Sequence, residues 1–168
     1  ERLNDQEICE YFDVSRTPVR EALQMLASQR LIEIYPNKGT VVSEIEAEHK
    51  EKWYLPLANL QSLAAELACQ VITPAQIDEL AALDAQVKRS IQQGNIVATL
   101  HTDLMLHNRI LDIADNEFIR EFSGTLMLHI QRMEFALLQD SGLGPDSFAS
   151  HGKLIDALRR RDAATASS

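Results

Sequence analysis

The chain has 168 residues, 45% of them hydrophobic, and 16 Lys and Arg against 25 Asp and Glu give a formal net charge of −9. The length suits two modest domains, and no stretch approaches the ~20 consecutive apolar residues of a membrane span. The acidic balance excludes a protein that grips nucleic acid through a broad basic surface, and the lone Cys9 and Cys69, without metal-type spacing, read as reduced thiols of a cytoplasmic protein.

Leu3, Ile8 and Phe12 fall on one side of a helical segment that ends at Asp13-Val14. Ser15 to Leu26 then reads as a second helix: Ser15 supplies an N-cap hydroxyl, Pro18 occupies the first turn, and Val19, Leu23 and Leu26 form an apolar stripe. Its exposed N-terminal turn carries Arg16, Thr17 and Arg20, donor types suited to phosphates and to guanine edges, at a helix end that favours anions. Two helices joined by so short a connection suggest a helix-turn-helix. Leu31 to Tyr35 and Thr40 to Ser43 alternate apolar and polar residues about the turn-forming Pro36-Asn-Lys-Gly39, which predicts a β-hairpin. The whole is a winged helix-turn-helix.

The run from Val14 to Leu23 (Val-Ser-Arg-Thr-Pro-Val-Arg-Glu-Ala-Leu), followed by Leu31-Ile-Glu-Ile34 and Pro36-Asn-Lys-Gly39, resembles the DNA-binding domain of GntR-family transcription regulators. The resemblance implies that Arg16, Thr17 and Arg20, on the turn that holds Pro18, face double-stranded DNA. Ser15 and Gln6 then lie near its backbone, and Lys38 and Gly39 form the wing tip. Residues 1 to 43 hold five Lys or Arg against seven Asp or Glu. A single copy so charged binds DNA weakly, so the reading requires a homodimer that recognises an inverted-repeat operator with a few well-placed arginines.

Beyond a boundary near Ser43 to Glu48, which divides a DNA-binding domain at 1–45 from a second domain at 46–168, the period of the pattern changes from two to about three and a half. The fold class is mainly α: the winged domain, then an all-α bundle. Helices are predicted over about Ala47 to Ile72 with a kink at Pro56, from a Thr73-Pro-Ala-Gln76 capping box to near Gly94, and over Ile96 to Ala114, Glu117 to Gln139 and Ser147 to Arg161, with another from Ala163. The chain begins at Glu1 and stops in Ala163 to Ser168 without a helix stop signal, so both ends read as cut.

Polar residues on apolar stripes mark the candidate site. Asp103 and His107 share the inward stripe of one helix with Leu100, and His151 shares another with Phe148, Ile155 and Leu158. Burying such groups is costly unless they are paired or bind something, and together they make an N and O ligand set for a divalent metal: zinc first, with nickel, iron or manganese also accommodated. An Asp and His one turn apart also form an ordinary i to i+4 pair, and a core histidine is often only a satisfied polar residue. His129, in the stripe of Phe122, Leu126 and Met133, reads as pocket lining or core packing, and His49 and His101 as solvated.

Asp103-x-x-x-His107, Ala114-Asp-Asn116 and His151 before Leu154-Ile-Asp-Ala-Leu158 resemble the C-terminal ligand-binding FCD domain of FadR-type GntR regulators. The resemblance implies that Asp103, His107 and His151 hold a metal, with a fourth ligand past Ser168 and a small organic acid as effector beside it. Where such domains carry an arginine and a glutamate near the pocket, this chain has Leu57 and Gln61, so the bidentate partner for a carboxylate effector is missing. The reading is an effector-responsive transcription regulator and not an enzyme. The alternatives are a metal-free regulator with a histidine-lined pocket and a helical metalloenzyme, for which nothing in the sequence supplies an acid or base.

Overall fold

Asn4 opens the first helix: its side chain accepts a hydrogen bond from the Gln6 N–H at 3.0 Å and satisfies one of the donors that a helix start leaves free. The structure is a computed structural model that describes residues 1–36, 39–45, 50–142, 148 and 150–167. The chain divides into two compact units, Glu1–Glu46 and Ala47–Ser168.

The first unit contains β1 (Arg2–Leu3), α1 (Asp5–Phe12), α2 (Arg16–Ser28), β2 (Ile32–Tyr35) and β3 (Gly39–Val42). β3 lies between the other strands, antiparallel to both, with Leu3 opposite Thr40 and Ile34 opposite Thr40 on the other edge. Val19, Leu23 and Ile32 form the core, with Leu3, Ile8, Cys9 and Ala27 packed against it. Four sequence expectations are corrected here. Leu3 belongs to a strand, because pairing with β3 satisfies backbone groups ahead of the Asn4 cap. Phe12, 65% exposed, and Leu26, 36% exposed, stand outside the core, since a unit this small buries only the middle of each stripe. Ser15 occupies the N-cap position of α2 in extended backbone, but its hydroxyl makes no cap hydrogen bond.

The second unit holds α3 (Lys50–Val71), α4 (Pro74–Gln92), α5 (Ile96–Ala114), α6 (Glu117–Ser141), α7 (His151–Arg160) and the short α8 (Ala163–Ala166). α3 runs as one helix through Pro56. Side-chain caps set the starts. Thr73 and Gln76 make the reciprocal capping box of α4, Asn95 caps α5 through the Ala98 N–H, and Asn116 caps α6 through the Ile119 N–H. α5 is packed by α3, α4 and α6, while α7 lies on α4 and α3. Leu106 and Ile110 of α5 enter a core with Leu80, Ile155 and Leu158, and Leu111 enters another with Leu57, Met127 and Ile130. Arg161, in the left-handed region at φ +54, donates to the carbonyls of Cys69, Gln70 and Ile72 at 3.2, 2.6 and 2.8 Å. A cation thus satisfies the free carbonyls at the end of α3 and ties α7 to it.

Phe148 does not share a helical face with His151: it stands before α7 at φ +64, and the helix begins at His151 itself. No described helix is long and apolar enough to cross a membrane. The predicted starts near Ala47 and Ser147, and Lys38 and His49, lie outside the described residues.

Candidate nucleic-acid interface and metal centre

α2 presents Val19 and Leu23 to the core of its unit, so the opposite side of its first turns faces outward. Gln6, Ser15, Arg16, Thr17, Pro18 and Arg20 are all exposed there or on α1. The Gln6 amide donates to Glu10 at 3.0 Å. Arg20 Nε stands 4.0 Å from the Asp5 carboxylate with its side chain 69% exposed, a contact worth little in water and readily exchanged for a phosphate. Gly39, at φ +92, needs the freedom of glycine, and a Cβ there would come within 3.0 Å of the Arg2 guanidinium. Arg2 therefore adds an exposed cation beside the wing. The sequence offered no signal for it, because only strand pairing brings the chain start to Gly39.

In the second unit, Asp103 and His107 lie one turn apart on α5, and His151 opens α7. One ligand atom from each lies within 4.8 Å of the other two. His151 Nε2 is 3.0 Å from Asp103 Oδ1, and His107 Nε2 is 3.8 Å from the same oxygen. The two imidazoles meet edge to face with centroids 5.4 Å apart. Despite that proximity, Asp103 Oδ1 and His151 Nδ1 are buried without a hydrogen-bond partner. Each such atom costs about 1–3 kcal/mol unless something fills its valence. Burial holds the His107 imidazole below its ordinary pKa, against the opposing pull of Asp103, and so favours the neutral form that ligates metals. Two imidazoles and a carboxylate with an unfilled buried oxygen fit a divalent ion with N and O ligands.

A cavity of about 130 Å³ adjoins the cluster, lined by Tyr54, Leu57, Gln61, Asp103, His107, Gln131 and Glu134 among others. A second, of about 550 Å³, shares Gln61 and His107 with it and adds His151 and Lys153. Leu57 and Gln61 thus stand beside the candidate ligands. The Tyr54 hydroxyl donates to Glu134 at 2.6 Å. Burial raises the Glu134 carboxyl above its usual range, partly offset by that hydrogen bond, and burial likewise raises the Tyr54 hydroxyl. His129 is not among the residues lining either cavity: it stacks on Trp53, centroids 4.1 Å apart and planes 16° from parallel. Its aromatic partner on α3 takes a face that the α6 stripe alone suggested for a pocket.

Sequence reasoning missed Tyr54, Glu134 and Asp84. For Asp84 a signal existed, since Ile77, Leu80, Asp84 and Val87 recur at helical spacing and are all buried, a carboxylate on an apolar stripe of the same kind as Asp103.

Comparison with known proteins agrees with this architecture. The family described as "Bacterial regulatory proteins, gntR family" matches residues 1–42, and the FCD domain family matches residues 57–168. The chain is 33% identical over 138 residues to the Nta operon transcriptional regulator of Aminobacter aminovorans, covering 81% of this chain and 63% of that protein. It is 25% identical over 160 residues to the HTH-type transcriptional repressor RspR of Escherichia coli K12, covering 95% and 70% respectively. Among solved structures, E. coli McbR/YncC superposes with a TM-score of 0.91 at 20% identity over 99% of this chain and 80% of that one. A putative transcriptional regulator GntR from Rhodococcus sp. RHA1 gives 0.71 at 21% identity, over 99% and 79%. The class these matches define is that of transcription regulators, not of enzymes. Within it, the chain belongs to the gntR family, in the group that carries an FCD domain.

Proposed function

We propose that this chain is a homodimeric, effector-responsive regulator that acts in the cytoplasm, reading an inverted-repeat operator with α2 and sensing a small metabolite in its helical unit. Arg16, Thr17 and Arg20 approach the major groove, Gln6 and Ser15 the backbone, and the wing around Gly39, with Lys38, an adjacent phosphate. The exposure of the α2 turn opposite a buried Val19–Leu23 stripe supports this arrangement. The acidic unit lacks the charge for strong non-specific binding, so pairing of two reading helices supplies the affinity.

Asp103, His107 and His151 hold a divalent metal, zinc before nickel, iron or manganese, and a small organic acid or related metabolite occupies the adjoining cavity. The single observation that carries this reading is the convergence of three ligand atoms within 4.8 Å around a buried, unpartnered Asp103 oxygen. The metal, when bound, supplies a Lewis-acidic anchor for oxygen donors. Because Leu57 and Gln61 line the cavity where an arginine would serve a carboxylate, the effector depends on that anchor and on the amides of Gln61 and Gln131. The effector acts on DNA binding only through its differential affinity for the DNA-competent and incompetent states.

A metal-free regulator is the second reading, favoured by the 3.0 Å approach of His151 Nε2 to Asp103 Oδ1, which an imidazole carrying its N–H at Nε2 makes without any ion. Elemental analysis and zinc titration of the purified protein decide between them. About one equivalent bound by the parent protein and none by His107→Ala supports the metal centre. No binding by the parent protein leaves the histidines as pocket lining.

A further inference from the structure

We infer that Asp84 is a positioning residue for the metal centre: its carboxylate takes the ring N–H of His151 at Nδ1 and thereby reserves Nε2 for the metal. The inference rests on the metal reading above and adds a residue from α4, a helix outside the ligand set.

Asp84 is 7% exposed, between Leu80 and Val87 on the buried stripe of α4. A carboxylate in that position is costly unless its oxygens are used. One is: Lys88, a turn further on, donates to Oδ2 at 2.6 Å. The other, Oδ1, is buried without a hydrogen-bond partner and points to His151, 3.7 Å from its Nδ1, which is itself buried and unpartnered. On the opposite edge of the ring, Nε2 stands 3.0 Å from Asp103. The imidazole is thus held between two carboxylates, one on α4 and one on α5.

A neutral imidazole has one N–H and one lone pair, and the hydrogen bond made by one nitrogen decides which nitrogen is free to ligate. Nε2 faces Asp103 and so belongs to the ligand cluster, which leaves the proton for Nδ1. Asp84 Oδ1 is the acceptor on that side. A carboxylate behind a ligating histidine fixes the tautomer, orients the ring and raises ligand basicity, and its loss costs 10- to 100-fold in metal affinity in comparable sites. Lys88 balances the charge that Asp84 brings into the bundle.

The test uses the full chain with zinc alone as the probe. Zinc affinity is measured by competition with a chromophoric chelator for the parent protein, Asp84→Ala and Asp84→Asn, and histidine nitrogen shifts are recorded on the zinc-loaded forms. The expected result is a 10- to 100-fold loss for Asp84→Ala and a smaller loss for Asp84→Asn, whose amide oxygen still accepts a hydrogen bond. In the parent protein His151 is protonated at Nδ1 and metal-bound at Nε2, and in Asp84→Ala that preference is lost. A purely structural role for Asp84 moves stability but not the tautomer. If Asp84→Ala does not fold, Asp84→Asn and its nitrogen shifts decide alone. Affinity within twofold of the parent in both variants, or zinc on Nδ1 of His151, overturns the assignment while leaving the metal centre standing. Absence of zinc binding by the parent protein instead removes the metal reading, and this inference with it.

Discussion

His151 Nε2 approaches Asp103 Oδ1 to 3.0 Å across two helices, yet the oxygen has no hydrogen-bond partner. This contact joins two helices, whereas Asp103 and His107 stand 3.8 Å apart within one helix at the i to i+4 spacing. A ligand that binds only the folded state stabilises it by about 2.7 kcal/mol at a hundredfold excess over its Kd. Zinc at that excess is expected to raise the unfolding free energy of the parent protein by that amount. Removing His107 or His151 by substitution with Ala abolishes the increment. Chemical denaturation with and without zinc measures both.

The α2 turn gives a second expectation. Arg16→Ala and Arg20→Ala should each weaken operator binding by roughly 1–3 kcal/mol, or about 5- to 150-fold. A variant that loses affinity on every DNA sequence and lowers the salt slope by about one marks a phosphate contact, and one that relaxes specificity at a single base pair marks a base contact. Gel-shift titrations at several salt concentrations distinguish them. Unchanged affinity for both variants sinks the assignment of α2 as the reading helix.

Arg161 should matter to stability far from any ligand. Its guanidinium serves three carbonyls at the end of α3 from a residue that follows α7. Arg161→Met keeps much of the aliphatic stem and removes those bonds, and is expected to cost roughly 1–2 kcal/mol, the lower part of the range for charged hydrogen bonds because the residue is exposed. A shift in the urea midpoint at constant slope tests it.

The capping box of α4 offers a calibrated comparison. Thr73→Ala removes the hydroxyl that accepts from the Gln76 N–H and leaves that donor to water. The expected loss is about 1 kcal/mol, with zinc affinity unchanged because no ligand sits in that turn.

The two cysteines should behave differently toward a thiol reagent. Burial pushes the Cys69 thiol up, and the side chain is 2% exposed, while Cys9 is only partly buried. At mildly alkaline pH in native buffer, Cys9 is expected to react first and Cys69 only as fast as the second unit opens. Equal rates would show that α3 does not shield Cys69.

Much of this was legible in the chain itself. Thr73 with Gln76 announces a helix start because capping is local chemistry, acting within four residues. The stripe containing Asp103 and His107 was readable because helical period is also local, and it placed those two side chains side by side. The same logic failed for Phe148, where the backbone leaves the helix before the stripe ends, and it did not supply Trp53, on another helix, as the partner of His129.

What the sequence determined by itself was therefore the run of helices, the exposed arginines on the first turns of α2, and the family to which these belong. Tertiary structure alone decided which distant groups meet: Arg2 beside Gly39 through strand pairing, Tyr54 on Glu134, Arg161 on the end of α3, and Asp84 behind His151. Periodicity gives the face of each helix but not the neighbour that face will meet. The partnership of Asp84, Asp103 and His151 depends on how α4, α5 and α7 pack, and that is fixed by the summed burial of Leu80, Leu106, Ile155 and Leu158 rather than by any one segment.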